Sequence, residues 1–192
     1  MDFYEKNAEE YMESTKNVDM SSAYAHFCKH LKVGDAVLDV GCGSGRDLKY
    51  FLEQGFQAEG MEPSKAIYHV LKKQKDLIVY PVTIQKFVPA KKYQAVWACA
   101  SLLHLSKKEI IEFFSRIDDI LFPDGVIYVS GKRGIETGYG KDGRFFLEFT
   151  EDLLQEILNC NPHLELVETW DSEDGKGRTE IRWMNFIIRY NK

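Results

Sequence analysis

The chain has 192 residues, of which 25 are basic and 30 acidic, for a formal charge of −5. That length can bury one substantial core, and nothing in the composition marks a linker or a second unit, so a single domain over residues 1–192 is expected. Charges of both signs are scattered along the chain, which offers no footprint for nucleic acid, and no apolar run is long enough to span a bilayer.

The N-terminal region predicts helical segments near residues 4–16 and 21–31, separated by the polar stretch Asn17-Val18-Asp19. Its acidic start, Asp2-Phe3-Tyr4-Glu5, lacks the character of a secretion signal, so a cytoplasmic location is expected. Tyr4 and Tyr11 lie seven residues apart, a spacing that fits an ordinary packing stripe or a cover folding over a site, and residues 1–31 are read as a helical lid. His26 and His30 can share a helical face, but no acidic motif accompanies them and no metal site is expected. Cys28, Cys42, Cys99 and Cys160 are widely spaced and read as reduced thiols.

The first strand, Ala36 to Val40, runs into three alternating glycines in Val37-Leu38-Asp39-Val40-Gly41-Cys42-Gly43-Ser44-Gly45-Arg46-Asp47. An apolar run before the glycines suits a strand covered on both faces, and the apolar stripe of Leu48, Phe51 and Leu52 after them suits a helix packed on the sheet. Glycines at alternate positions let the main chain approach a ligand closely, while a helix starting there directs free N–H groups toward it. A dinucleotide fingerprint requires a further glycine three residues after Gly43; Arg46 stands there, which counts against NAD. A second strand, Phe56 to Glu62, ends in an acid 21 residues beyond Gly41. A carboxylate at that sheet edge can accept from both hydroxyls of a ribose, although Glu62 can also cap the helix that follows Pro63 and Ser64.

Further strands are predicted over Leu77 to Pro81 and Gln94 to Ala100, and Ser106-Lys107-Lys108-Glu109 is a capping-box signal for the helix carrying Ile110, Ile111, Phe113, Phe114 and Ile117. After the strand Val126 to Ser130 comes a glycine-rich excursion containing Lys132, Arg133, Tyr139, Arg144, Phe145 and Phe146, then a helix near 150–158 and terminal strands near 164–170 and 182–190. These elements predict an α/β doubly wound, mostly parallel sheet closed by an antiparallel C-terminal pair.

The glycine turn, Glu62, Ala98-Cys99-Ala100-Ser101-Leu102-Leu103-His104 and Leu121-Phe122-Pro123-Asp124-Gly125-Val126-Ile127-Tyr128-Val129-Ser130 together resemble the class I methyltransferases that use S-adenosylmethionine. Gly43-Ser44-Gly45-Arg46-Asp47, Ser101-Leu102-Leu103-His104 and Asp142-Gly143-Arg144-Phe145-Phe146 most resemble the small enzymes grouped with tellurite-resistance methyltransferases. The chain departs from the family pattern twice, with Glu62 where aspartate is frequent and Pro-Asp-Gly where Pro-Gly-Gly is usual. Glu62 keeps the carboxylate, and Gly125 is read as keeping a flexible turn position.

The resemblance implies a seven-stranded sheet of order 3-2-1-4-5-7-6 and S-adenosylmethionine as cofactor, with S-adenosylhomocysteine as product. It implies that Asp39, Gly41, Gly43 and Gly45 surround the amino-acid and ribose portions, with Glu62 on the ribose hydroxyls. Ile84 would wall the adenine beside Gln85, or Gln85 would simply face solvent; Ala100 and Ser101 would close the pocket after the fourth strand. Arg46 either bonds the cofactor carboxylate or shapes the acceptor entrance. His104 can orient an acceptor or take its proton, Arg144 can stabilise the acceptor or the lid, and Tyr11 belongs to the cover.

The leading expectation is methyl transfer to a small nucleophile such as a thiol, reduced metalloid or small anion, by a monomer or homodimer without nucleic-acid or membrane partners. The alternatives are a protein side-chain methyltransferase and a non-enzymatic S-adenosylmethionine-binding interaction protein.

Overall fold

Three short helices, α1 (Asp2–Lys6), α2 (Ala8–Thr15) and α3 (Ser21–Cys28), precede the first strand in the computed structural model, which describes residues 2–192. The segment expected as one helix over 4–16 is broken at Asn7, whose backbone leaves the helical region at φ −122°, ψ 25° while its N–H and its side-chain amide both donate to the Phe3 carbonyl, at 3.0 and 2.8 Å. The second segment ends at Cys28, short of the expected residue 31.

Strand and helix then alternate: β1 (Ala36–Val40), α4 (Arg46–Glu53), β2 (Gln57–Met61), α5 (Lys65–Leu71), β3 (Ile78–Tyr80), β4 (Tyr93–Cys99), α6 (Lys107–Ser115), α7 (Ile117–Ile120) and β5 (Leu121–Arg133). A short hairpin, β6 (Gly138–Tyr139) with β7 (Phe145–Phe146), leads to α8 (Glu151–Cys160) and the final pair, β8 (Leu164–Glu173) and β9 (Arg182–Tyr190). The sheet order is β3-β2-β1-β4-β5-β9-β8, parallel as far as β5 and antiparallel through β9 and β8. With the intervening hairpin set aside, this is the expected order 3-2-1-4-5-7-6.

Period-two alternation sends the buried strand residues to opposite layers. Val37, Ala95, Trp97 and Tyr128 pack with Phe27, Leu48 and Phe51, while Leu38, Val96, Ile127 and Val129 pack with Phe114, Leu153 and Ile157. Fully burying each such Leu or Phe contributes about 1.5–3 kcal/mol, so helices on both faces hold the parallel strands in place. The capping box at Ser106 forms, with Glu109 accepting from the Ser106 N–H at 2.8 Å, and Thr150 accepts from Leu153 at the start of α8.

One expected detail changes. In Pro-Asp-Gly it is Asp124, at φ 63°, that takes the left-handed turn conformation, whereas Gly125 supplies room: a Cβ there would lie 2.9 Å from the Phe122 carbonyl and 3.1 Å from that of Gln94. An asparagine-like short polar side chain tolerates that backbone region, which explains why aspartate can stand where a second glycine is usual.

Candidate active site

The parallel strands end along one edge, and there β1 turns through Gly41 at φ 73°. A Cβ on Gly41 would sit 2.7 Å from the Cβ of Ser101, so the turns after β1 and β4 come together only because that position lacks one. Ala100, at the end of β4, is held at φ 52° while its N–H donates to Ser130 Oγ at 2.9 Å. Positive φ in a residue with a side chain costs about 1–3 kcal/mol and is concentrated at functional sites.

At the start of α4, Asp47 is buried and accepts from three side chains: Tyr24 Oη at 2.5 Å, Trp97 Nε1 at 2.9 Å and the Arg46 guanidinium at 2.6 and 2.8 Å. The bidentate pair fixes the Arg46 fork on the cavity wall, where it also donates to the Thr15 carbonyl at 3.3 Å. This network was not anticipated from the sequence, because Tyr24, Asp47 and Trp97 belong to three separate elements.

Two further acids lie behind the turn. Glu62 accepts from the Gly43 N–H at 3.0 Å and the Ser64 N–H at 2.8 Å, and burial pushes its pKa up to about 7. Asp39 is buried with Oδ2 unpartnered, and burial, reinforced by the Asp47 charge, raises its pKa well above the usual carboxylate range. Ser101 Oγ is likewise buried without a partner.

The turn opens onto a cavity of about 620 Å³, a size suited to small molecules. Gly41, Gly43, Arg46 and Ala100 line one end; Tyr4, His104, Lys132, Arg144 and Phe146 line the other. The N-terminal helices roof it, with Tyr11 packed 3.2 Å from where a Gly43 Cβ would be, and Glu5 accepting from the Lys65 and Ala66 N–H groups at the start of α5.

At the far end, His104 Nδ1 lies 2.8 Å from the Phe145 carbonyl and Nε2 lies 2.8 Å from Tyr4 Oη. A carbonyl can only accept, so Nδ1 carries the proton and Nε2 accepts from the tyrosine. Arg144 forms a paired contact with Asp142 at 2.5 and 2.9 Å, reaches Tyr4 Oη at 3.4 Å and lies 4.1 Å from the Phe3 ring centre. Burial lowers the His104 pKa to about 4, and the Arg144 and Lys132 charges push the same way.

The structure therefore brings Tyr11, Gly41, Gly43, Arg46, Ala100, His104 and Arg144 to the cavity wall. Asp39, Gly45, Glu62 and Ser101 stand behind it, and Ile84 and Gln85 lie away from it: Ile84 is in the core, and Gln85 is exposed and donates to Glu109 at 2.9 Å. Arg133 turns outward to Asp171 and Glu151, unlike its neighbour Lys132. Trp170 and Trp183, half-buried on the terminal strand pair, also line the cavity. Among the described residues no cluster of His, Cys, Asp and Glu is arranged to hold a metal, and no helix is long and apolar enough to cross a membrane.

A glycine turn and an acid at the carboxyl edge of a doubly wound sheet define a protein that binds a nucleoside-bearing ligand in the crevice. A family model described as a methyltransferase domain matches residues 11–131, well over half of the chain. The chain belongs to this family, the class I S-adenosylmethionine-dependent methyltransferases.

Among curated proteins, it is 30% identical over 126 residues to N-terminal Xaa-Pro-Lys N-methyltransferase 2 of Danio rerio, a match covering 59% of this chain and 45% of that protein. The chain thus spans less than half the length of that relative. Among solved structures, it resembles the 1,6-didemethyltoxoflavin-N1-methyltransferase of Burkholderia thailandensis, bound to 1,6-didemethyltoxoflavin and S-adenosylhomocysteine. That likeness has a TM-score of 0.78 at 21% identity and covers 100% of this chain and 85% of that one. It also resembles the [4+2]-cyclase SpnF, with a TM-score of 0.68 at 17% identity over 88% of this chain and 80% of that one. These structural likenesses establish the fold, and the cyclase illustrates how the same fold hosts other chemistry.

Proposed function

We propose that this methyltransferase acts on a small nucleophile held between the glycine turn and the Tyr4, His104 and Arg144 cluster. The observation carrying this reading is the single cavity that joins those two groups beneath the N-terminal helices. The residues fit S-adenosylmethionine on a feature of the chain itself: just behind the glycine turn the buried Asp39 Oδ2 lacks a partner, and an amino-acid ammonium would bring it a donor. Arg46 has a carboxylate to receive, and Glu62, with two backbone donors already bound, retains acceptor capacity for ribose hydroxyls. Residues 2–31, the described part of the expected 1–31 lid, act as the cover in this reading, because α1 and α2 lie over Gly43 and the start of α5.

The cofactor supplies an electrophilic methyl carbon on a sulfonium. The protein then has to place a nucleophile opposite the sulfur and keep water away, which positioning and electrostatics accomplish without a covalent intermediate. The aromatic side chains around Arg144 and Lys132 suit that task. Thiols, reduced metalloids and small anions remain the acceptor classes implied by the motif resemblance to tellurite-resistance enzymes. Modification of a protein side chain is the second reading, supported by the N-methyltransferase relative; the roofed cavity favours a small acceptor.

Calorimetry with S-adenosylmethionine, S-adenosylhomocysteine and NAD, followed by labelled methyl transfer to small-molecule and peptide panels, tests the proposal. Binding of the first two ligands and labelling of a small molecule is the expected result. Tight NAD binding without adenosylmethionine binding would reject the cofactor assignment, labelling restricted to peptides would select the second reading, and binding without any transfer would favour the interaction protein.

A further inference from the structure

His104 and Tyr4 come from segments far apart in the chain, yet they meet inside the cavity in an arrangement that fixes every proton. The Phe145 carbonyl takes the Nδ1 proton, leaving the Nε2 lone pair to accept from Tyr4 Oη at 2.8 Å. Arg144 approaches the same tyrosine oxygen at 3.4 Å and is itself pinned by Asp142. A hydroxyl whose proton points to an imidazole and whose oxygen lies on a ligand cavity can receive one proton while releasing another. Thiolates and oxyanions need no such service, because they arrive without a proton to lose.

We propose that Tyr4 and His104 form a proton relay for the methyl acceptor, and that the acceptor is an aromatic or heteroaromatic ring bearing an N–H or O–H. The inference rests on the methyl-transfer reading above and keeps its small nucleophile, but puts a protonated ring in place of the thiol, metalloid and anion classes that the motif resemblance implies. As the acceptor–methyl bond forms and the sulfur–methyl bond breaks, the C–S electron pair stays on sulfur. The acceptor N–H or O–H bond breaks with its electrons left on the acceptor. Its proton moves to Tyr4 Oη, while the tyrosine's original proton moves to Nε2, giving an imidazolium that later returns the proton to water.

Two features select a ring. Phe3, Phe146 and Trp183 line the cavity; Arg144 covers the Phe3 ring at 4.1 Å and Lys132 the Phe146 ring at 4.1 Å, so an aromatic and cationic rim surrounds the place where a ring would make edge or cation contacts. The groups facing His104 are Tyr4 from α1, Lys132 from β5, and Asp142, Arg144 and Phe146 from the hairpin; the two cations, with burial, leave the imidazole a weak base. A weak base cannot readily deprotonate an alkylammonium product, whose pKa is about 10. A methylated conjugated ring gives up its N–H or O–H proton far more easily.

The test begins on the protein without substrate. Nitrogen NMR of histidine-labelled protein should show His104 protonated at Nδ1 only, titrating near pH 4, and Tyr4→Phe should shift the Nε2 signal while leaving the Nδ1 proton in place. Protonation at Nε2 overturns the relay whatever the kinetics show. Transfer is then measured with xanthine, catechol, 2-mercaptoethanol and selenite as probes.

For xanthine or catechol, Tyr4→Phe should lower kcat by about 10- to 100-fold, with the acceptor KM and the S-adenosylmethionine Kd within about twofold. The wild-type rate should be flat from about pH 6 upward, whereas the variant should gain about tenfold per pH unit toward the acceptor's own pKa. Any transfer to 2-mercaptoethanol at a pH where it is largely thiolate should be unchanged by the substitution. An equal loss on all active probes would make Tyr4 a packing residue, and turnover of thiolate or selenite alone would overturn the acceptor class. Intact cofactor binding with no transfer to either ring probe would also overturn that class, while loss of cofactor binding by the wild-type protein would strike the underlying methyl-transfer reading.

Discussion

The glycine turn and the Tyr4, His104 and Arg144 cluster share one cavity but are assembled over different chain distances. Gly43 bonds Glu62 across 19 positions, within one strand-helix-strand unit, whereas Tyr4 meets His104 across 100 positions and Arg144 across 140. The first arrangement follows from the sheet: neighbouring parallel strands deliver their ends to one edge, and a local pattern encodes the turn. The second exists only when the N-terminal helices and the β6–β7 hairpin dock on the finished sheet. One half therefore follows from the fold and the other from the docking of distant segments, and the proposed function assigns acceptor choice to the second.

The largest effect should come from the rigid half. Asp47 is the shared acceptor for Tyr24, Trp97 and Arg46, so Asp47→Ala leaves the Arg46 charge part-buried and without its carboxylate. Breaking a buried pair from one side costs about 3–5 kcal/mol, a loss that urea unfolding would register directly. Stability within about 1 kcal/mol of wild type would show that Arg46 finds compensation elsewhere and that this half is less rigid than its bonding implies.

The two halves should also titrate in opposite senses. Burial raises the Glu62 pKa from its ordinary 4.5 to about 7, so the folded state holds the proton more tightly and Glu62 makes stability fall as pH rises between those values. Burial lowers the His104 pKa from 6.5 to about 4, so the unfolded state holds more protons and stability is lost as pH falls through that window. At about 1.4 kcal/mol per unit, each contribution is about 3 kcal/mol and the two largely offset.

Substitution should uncover them. Relative to wild type, Glu62→Gln should gain about 3 kcal/mol as pH rises from 4.5 to 7, whereas His104→Gln should gain a similar amount as pH falls from 6.5 to 4. Whatever constant offset a substitution brings, the slope of the difference carries the result. Parallel curves for variant and wild type would remove that acid or imidazole from the set of buried titrating groups.

A smaller and more selective effect is expected for Arg144→Ala. Arg144 touches Asp142, Tyr4 and the Phe3 and Phe146 rings but not the glycine turn. Its removal should lower transfer by about 10- to 100-fold while leaving S-adenosylmethionine affinity nearly unchanged. Calorimetry paired with initial rates at saturating cofactor separates these quantities. Weakened cofactor binding with normal transfer would move Arg144 into the cofactor half and erase the division between the two regions.

What could be read from the residues follows the same division. The glycine turn, the acid at Glu62 and the Ser106 capping box depend on local spacing, whereas the strand order comes with the family resemblance, and the chain displays each of them. Asn7 interrupts a predicted helix by leaving the helical region while its side-chain amide shares the Phe3 carbonyl with its own N–H, an effect that apolar periodicity does not carry. Arg144 and His104 could be nominated from chemistry and position. Their meeting through Tyr4, and the clustering of Tyr24, Asp47 and Trp97, required three-dimensional packing between distant elements. Lys132 and Arg133 show the limit plainly: adjacent basic residues face the cavity and the outer surface respectively, because strand alternation separates them.

The smallest effect is expected at Gln85, which tests how far the cofactor half extends. The family pattern brings the residues after the third strand toward adenine, but here Gln85 is exposed and its amide donates to Glu109, the capping residue of α6. Gln85→Ala should therefore change S-adenosylmethionine affinity by less than about 0.5 kcal/mol, the size usual for a surface substitution away from a site. Its principal consequence should be a comparably small loss of thermal stability from weakening the α6 cap region, since an exposed hydrogen bond contributes little beyond its exchange with water. Calorimetry and a melting curve on the same preparation distinguish these outcomes. An affinity loss above about 1 kcal/mol with an unchanged melting temperature would mean that Gln85 leaves Glu109 to meet the cofactor, extending the fold-encoded half to the loop after β3.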